Sequence, residues 1–224
     1  MATLYKIHPK NPQTRKIAAV RDALQQGAIM LYPTDTVYAI GCDLTVKSAV
    51  QRVRQLKQTC NDKPLTFMCC SLSNIAEYAW VSDPAYRMIR HLIPGTYTFL
   101  LPATKQVPKL VMSPKRKTTG IRVPDCQICL DIIQTLGNPI ISTSALSLMN
   151  AQKTSIPSKA ELFDFVGPQV DLIVDDDRDL GYGLSTILNL TEPEEMTITR
   201  RGLGWQHVVD LGIEVAEERV LSTH

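Results

Sequence analysis

The stretch Ala28-Ile29-Met30-Leu31-Tyr32-Pro33-Thr34-Asp35-Thr36-Val37-Tyr38 constrains the fold of this chain more than any other. The apolar run Ala28 to Tyr32 has the length and composition of a buried strand. Pro33 then removes a ladder donor, and hydroxyls and a carboxylate crowd the strand's end. In open α/β sheets ligands bind beyond the carboxyl ends of strands, where loops present oxygens and N–H groups on a rigid support. The plainer alternative is a polar turn after a core strand.

The segments on either side extend the pattern. Leu4 to Ile7 reads as a short strand, and Asn11-Pro12 offers a helix cap with proline at the first helical position. Ile17, Val20, Ala23 and Leu24 then recur at helical spacing up to Gln26, and Gly27 sits where a left-handed residue ends a helix. Helices follow at Ser48–Lys57, Ser71–Ala79, Pro84–Leu92, Asp125–Leu136 and Ser158–Phe165. Between them lie strand-like runs at Pro64–Cys69, Thr96–Leu101, Gly120–Val123, Pro139–Thr143 and Val170–Val174. Thr186–Leu190 and Met196–Arg200 face each other across a short turn and read as a hairpin. This alternation predicts an α/β fold. With 224 residues and 44% hydrophobic content the chain can bury one large core, read as a domain over 1–205 with a tail over 206–224.

A formal charge of +2 does not by itself mark a nucleic-acid binder, so any basic surface must be local. Cys42, Cys60, Cys69, Cys70, Cys126 and Cys129 accompany an N-terminus without a signal-peptide pattern, which points to a reducing cytoplasm. No run approaches the ~18 apolar residues a membrane span needs.

Unusual residues collect near strand ends: Thr34 to Tyr38, Lys57 to Lys63, Lys115 to Arg122, and Ser142 to Ser144, with Ser185-Thr186 and Arg200-Arg201. Hydroxyls and cations outnumber general bases, a balance that suits the binding of phosphates and carboxylates through charge-assisted bonds. Cys126-Gln127-Ile128-Cys129 has the context of a thioredoxin-type pair, but two buried structural thiols at i and i+3 are the simpler reading. His8, His91, His207 and His224 have no serine or cysteine partner at a motif spacing, which gives a hydrolytic triad no support. Cys69-Cys70 complete no four-ligand zinc pattern, and no protein metal site is assigned. The acidic turn Asp175 to Asp179 has carboxylates suited to Mg²⁺, although a solvated loop is the simpler account.

Several blocks in fixed order carry a resemblance. They are Tyr32-Pro33-Thr34-Asp35-Thr36-Val37-Tyr38, Lys63-Pro64-Leu65, Pro94-Gly95-Thr96-Tyr97-Thr98, Gly120-Ile121-Arg122-Val123-Pro124, Ser142-Thr143-Ser144-Ala145, Ser185-Thr186 and Arg200-Arg201-Gly202. Together they resemble the YrdC/YciO family, whose best-known members make threonylcarbamoyl-adenylate for modifying adenosine 37 of tRNA. The resemblance implies a twisted, mostly parallel open α/β sheet flanked by helices around a large basic cavity. It also implies a reaction in which L-threonine and bicarbonate give a carbamate that attacks the α-phosphorus of ATP, with Mg²⁺ carried by the nucleotide. By that resemblance Thr34, Thr36 and Tyr38 line the threonine end, and Arg122 meets a carboxylate or phosphate. Lys57, Ser142, Ser144, Ser185 and Arg200 hold the nucleotide, with Lys57 and Arg122 as the candidate catalytic groups.

Two positions depart from the pattern. Synthases of the family carry Lys-x-Arg and Ser-x-Asn, whereas the corresponding triplets here are Lys57-Gln58-Thr59 and Ser144-Ala145-Leu146. Thr59 lacks the planar five-donor fork of arginine, and the Leu146 side chain neither donates nor accepts. These departures, with Tyr5-Lys6-Ile7-His8-Pro9 and Lys115-Arg116-Lys117-Thr118, resemble the YciO branch. An alternative to the enzyme is a non-catalytic binder of tRNA or double-stranded RNA, with Lys115, Arg116, Lys117 and Arg201 as phosphate contacts.

Overall fold

The computed structural model describes residues 2–58, 65–112, 117–149, 157–181 and 183–215. Its strands are β1 Thr3–Lys6, β2 Met30–Tyr32, β3 Ala39–Asp43, β4 Thr66–Met68, β5 Tyr97–Pro102, β6 Thr118–Arg122, β7 Ile140–Ser144, β8 Leu172–Asp175, β9 Thr186–Asn189, β10 Thr197–Arg200 and β11 Glu214–Val215. The α-helices are α1 Thr14–Gln25, α2 Lys47–Gln58, α3 Leu72–Tyr78, α4 Asp83–Leu92, α5 Gln127–Leu136, α6 Lys159–Val166 and α7 Trp205–Asp210. The strands form one sheet in the order β1-β8-β2-β3-β7-β4-β6-β5-β9-β10-β11.

The α/β architecture with flanking helices agrees with expectation, but the expected predominance of parallel pairing does not hold. Among the described residues five strand pairs are parallel and five antiparallel. The main cause is β3, which is not among the strands expected from sequence. It is buried throughout, so it shows no alternation of apolar and polar residues. The connection from Tyr32 to Ala39 is too short for a crossover, so β3 turns back antiparallel to β2 and then pairs antiparallel with β7. Gly41 permits this close flanking, because a Cβ there would lie 2.6 Å from Ile140 Cγ2 and 2.9 Å from Tyr32 Cε1.

A smaller correction concerns α1. Its N-cap is Gln13 rather than Asn11, because the backbone N–H groups of Lys10 and Asn11 donate to His8 Nδ1 and hold that segment in a turn. Its C-terminus is as expected. Gly27 takes φ +92°, Ala28 N–H donates to Ala23 O, and Gly27 N–H donates to Leu24 O, closing the last carbonyls in a Schellman motif. Ser158 caps α6 in a full capping box with Glu161.

Strand register gives the sheet two unlike faces. One row runs in register through Leu188, Phe99, Ile121, Phe67, Ile141 and Cys42 across six strands, and each of these side chains is buried. With the apolar stripes of α2, α3, α4 and α6 this row makes the larger core. Burying each such side chain contributes about 1.5–3 kcal/mol. The adjacent row, Leu100, Gly120, Thr66, Ser142 and Gly41, points to the opposite face. There α1 and α5 cover β2, β7 and β8 through Ile17, Val20, Leu24, Ile128, Ile132 and Ile133. β5, β6 and β9 contribute nothing to that second cluster, and over them the face opens into a cavity. Within the stretch read as a tail, α7 buries Val208 in the larger core and β11 pairs with β10. No described helix is long and apolar enough to cross a membrane.

Candidate functional site

The cavity holds about 680 Å³ and is walled by strands that are far apart in the chain. β4 supplies Thr66 and Met68, β5 Thr98 and Leu100, and β6 Thr118, Gly120 and Arg122. β7 adds Ser142 and Ser144, the loop after β2 adds Thr34 and Thr36, and the β9–β10 hairpin adds Ser185, Ile187, Thr199 and Arg200. Lys57, on the last turn of α2, completes the cationic set. Among the described lining residues there are three cations and no carboxylate.

Each arginine is held in place from behind. Arg122 Nη1 donates to Thr36 Oγ1 at 2.8 Å and Nη2 to Asp35 Oδ1, with both members of the ion pair less than one-tenth exposed. The loop that supplies these acceptors is itself pinned: Thr34 Oγ1 donates to Val37 O at 2.7 Å and accepts from Thr36 N–H at 3.1 Å. Arg200 donates through Nε and Nη2 to Ser185 O, at 3.0 and 2.8 Å, and through Nη2 to Ser185 Oγ at 2.9 Å. Thr98 Oγ1 lies 2.9 Å from the same Ser185 hydroxyl. Burial first, and the charge of Arg122 second, push the Arg200 guanidinium below its ordinary value. Two like charges therefore share a poorly solvated wall, which an anion between them would relieve. Arg122 Nε and Ser144 Oγ are buried without a hydrogen-bond partner among the described residues. Native interiors seldom leave such atoms unpaired, and a ligand is one way of satisfying them.

Eight of the nine residues assigned to substrate or nucleotide from sequence therefore line one cavity: Lys57, Arg122, Thr34, Thr36, Ser142, Ser144, Ser185 and Arg200. The ninth, Tyr38, does not. Its hydroxyl points to Asp175 Oδ1 at 3.4 Å and Asp176 Oδ1 at 3.2 Å, beside a smaller hollow of about 160 Å³ that adjoins the cavity at Thr34, Thr36 and Val37. Burial and these two carboxylates push its phenol up. The physical reason is that Thr34 to Tyr38 is a bend between β2 and β3, so the period of two that would set Thr36 and Tyr38 on one face does not apply, and the Tyr38 hydroxyl is taken by the two carboxylates. The acidic turn is also no solvated loop throughout, since Asp175 and Asp176 are buried and pair with Lys159 and Arg178. Among the described residues no cluster of three or more His, Cys, Asp or Glu side chains suits a metal ion.

Ser142 Oγ is partly occupied, accepting from Tyr32 OH at 2.8 Å and donating to Ile40 O at 3.3 Å. Sequence reasoning missed Thr66, Thr98, Thr118, Ser147 and Thr199 as wall residues. The signal was present in Thr118-x-Gly120-x-Arg122 and Thr66-x-Met68, whose period of two puts all members on one face. Leu146 lies partly buried on a 3₁₀ turn and is not among the described lining residues, whereas Ser147 is. Thr59, Lys63, Lys115 and Arg116 lie outside the described residues. Lys117 precedes β6 and Arg201 follows β10, both exposed. Because β6 and β10 run the same way along the sheet, these two cations sit at opposite ends of it and form no common patch. Arg201 instead stacks over the Trp205 ring at 4.7 Å.

The Cys126–Cys129 pair caps and opens α5, free and buried, with both thiols directed at Pro33 O at 3.8 and 3.1 Å. Its visible role is structural, fixing the start of the threonine-rich loop. Hydrogen bonding from Cys129 holds the Cys126 thiol down, while burial pushes Cys129 up.

Comparisons with known proteins give one consistent picture. A family model for the Sua5/YciO/YrdC domain, described as telomere recombination, matches residues 22–202. An uncharacterised protein of Haemophilus influenzae is 42% identical over 91% of this chain and 97% of its own length. The mouse threonylcarbamoyl-AMP synthase is 28% identical over 88% of this chain and 71% of its own. The crystal structure of Escherichia coli YciO superposes with a TM-score of 0.82 at 36% identity, covering 91% of this chain and 97% of that one. The crystal structure of P. abyssi Sua5 complexed with L-threonine gives 0.81 at 23% identity, covering 96% of this chain and 63% of that one.

Proposed function

The chain belongs to the Sua5/YciO/YrdC family, and from that premise we propose that it is an ATP-dependent nucleotidyltransferase making threonylcarbamoyl-adenylate or a closely related acyl-adenylate. The observation that supports this most is the convergence of Lys57, Arg122 and Arg200 with hydroxyls from five strands on one cavity without a described carboxylate. In-line transfer to an α-phosphorus requires placement and neutralisation of oxygens more than it requires a base. In the proposed reaction the amine of L-threonine and bicarbonate give a carbamate and water. A carbamate oxygen then bonds to the α-phosphorus of ATP as the bond to the β-phosphate oxygen breaks, releasing pyrophosphate. Arg122, whose Nε has no hydrogen-bond partner among the described residues, meets an anionic oxygen, and Arg200 offers a second positive charge across the wall. Ser144 Oγ supplies an uncommitted hydroxyl. Mg²⁺ enters with the nucleotide's phosphates, which suits a wall with no described carboxylate to hold it. The mouse threonylcarbamoyl-AMP synthase supports the adenylate as product, and by resemblance to the family's best-known members that product would serve tRNA threonylcarbamoylation.

The test is pyrophosphate release by the purified protein with ATP, Mg²⁺, L-threonine and bicarbonate, against a control without threonine. Release that depends on threonine and disappears in Arg122→Met supports the proposal. No release from the natural chain, nor from the variant carrying Thr59→Arg and Leu146→Asn together, overturns it.

A further inference from the structure

Gly120 is the glycine in the wall of the large cavity, and neither backbone conformation nor packing accounts for it. Of the eleven glycines, four have positive φ and five of the others have an atom within 3 Å of the position a Cβ would take. Only Gly120 and Gly167 escape both explanations, and Gly167 lines no described hollow. At Gly120 a Cβ would meet Thr66 Oγ1 at 3.5 Å, Leu100 Cδ2 at 3.7 Å and Thr98 Cγ2 at 3.7 Å, all ordinary contacts. The centre of a strand is a poor place for glycine unless something approaches its backbone closely. The space above it is the cavity.

We propose that Gly120 is a specificity-determining position, its bare backbone being the surface against which the uncharged nucleoside half of the nucleotide lies. This rests on the nucleotide reading above and goes beyond it by placing the ligand's direction. Arg122 is two residues along the same face of β6, about 6–7 Å away at strand rise. Arg200 is tied to Ser185 next to Thr98, so buried Arg122 and half-buried Arg200 lie toward the same end of β5 and β6. The in-register neighbours of Gly120 are Leu100 and Thr66, an apolar group and a hydroxyl, with no charge. An anion held by the arginines therefore extends its neutral remainder across Gly120 toward Thr118. There Thr66 and Thr118 offer hydroxyls, and Leu100 offers an apolar flank.

The test compares binding of ATP with that of inorganic tripolyphosphate, by calorimetry, to the natural chain and to Gly120→Val and Gly120→Ala. The γ-methyls of valine project into the cavity, so ATP affinity is expected to fall at least about tenfold, with tripolyphosphate affinity unchanged. Gly120→Ala, whose Cβ meets no atom closer than 3.5 Å, keeps the native unfolding midpoint and shows a smaller fall in the same ratio. Should Gly120→Val fail to fold, the alanine variant alone decides. An unchanged ratio of the two affinities, or an equal loss of both, overturns this proposal while leaving the nucleotide reading in place. A natural chain that binds neither ligand overturns both.

Discussion

Replacing Asp35 by alanine removes the counter-charge of Arg122 without touching the cavity wall, since Asp35 is not one of the lining residues. The two side chains are 8% and 7% exposed, so the pair is buried in the full sense. Removing one partner of such a pair costs about 3–5 kcal/mol, because the other charge is left uncompensated in a poorly solvated place. Among the described residues Arg122 would retain only its bond to Thr36 Oγ1, and its Nε is already without a partner there. A domain of this size has a total stability of about 5–15 kcal/mol, so the loss is a large fraction of it. The melting temperature should fall by about 6–20 °C, at 2–4 °C per kcal/mol. Equilibrium urea unfolding measures the change directly, and Asp35→Leu combined with Arg122→Met should recover most of it, because no buried charge remains. ATP should also raise the midpoint of Asp35→Ala more than that of the natural chain, since the ligand's anion takes over the role of the lost carboxylate. A variant within about 0.5 kcal/mol of the natural chain, or a double variant as unstable as the single one, would refute the idea that Asp35 preorganises Arg122.

Ser185→Ala removes the hydroxyl shared by Thr98 Oγ1 and Arg200 Nη2, and should cost about 1–3 kcal/mol in urea unfolding and weaken ATP binding. Gly41→Ala should destabilise by about 1–3 kcal/mol, because its Cβ meets Ile140 and Tyr32 at under 3 Å. Tyr38→Phe, whose lost hydroxyl is outside the large cavity, should leave ATP affinity unchanged in calorimetry while costing about 1 kcal/mol or less. Stability should also fall in acid. Burial pushes the Asp171 carboxyl up, but bonds from Arg52 and the Ile29 N–H more than offset it; Asp175 is likewise held low by Lys159 and the Asp177 N–H against its burial. Groups whose folded values are depressed contribute stability above the unfolded carboxylate value of about 3.9, and that stability is lost as pH falls through the folded value. Urea midpoints should be level from about pH 7 to 5 and drop below about 4, with a shallower drop in Asp171→Asn.

Local chemistry carried most of the element assignments. Gly27, Gly137 and Ser158 each do at a helix end what their residue type suggests, and the β9–β10 hairpin forms where the Thr191-Glu192-Pro193-Glu194 turn predicts. What escaped was pairing. β3 is uniformly buried, so no alternation announces it, and its pairing with β7 is decided by residues far away in the chain, such as Ser144 opposite Ala39. Parallel or antiparallel sense follows from those distant neighbours, which a reading of one segment at a time does not contain.

The site was legible for a different reason. Its charged members stand out because buried arginine and lysine need partners, and Arg122 and Arg200 find theirs in loops that bear obvious hydroxyls. Its neutral members did not stand out, since Thr66, Thr98 and Thr118 are ordinary strand residues until register sets them on one face. Gly120 belongs to the same class: only when Leu100 and Thr66 are placed beside it does its missing side chain become a shape rather than a gap. Tyr38 shows the converse, for its neighbours in sequence line the cavity while its own hydroxyl is claimed by Asp175 and Asp176 from β8 and beyond. Residue type thus identifies which groups suit an anion, while strand order decides which of them share a cavity, and a substitution that alters register should scatter the set even where each of these residues is retained.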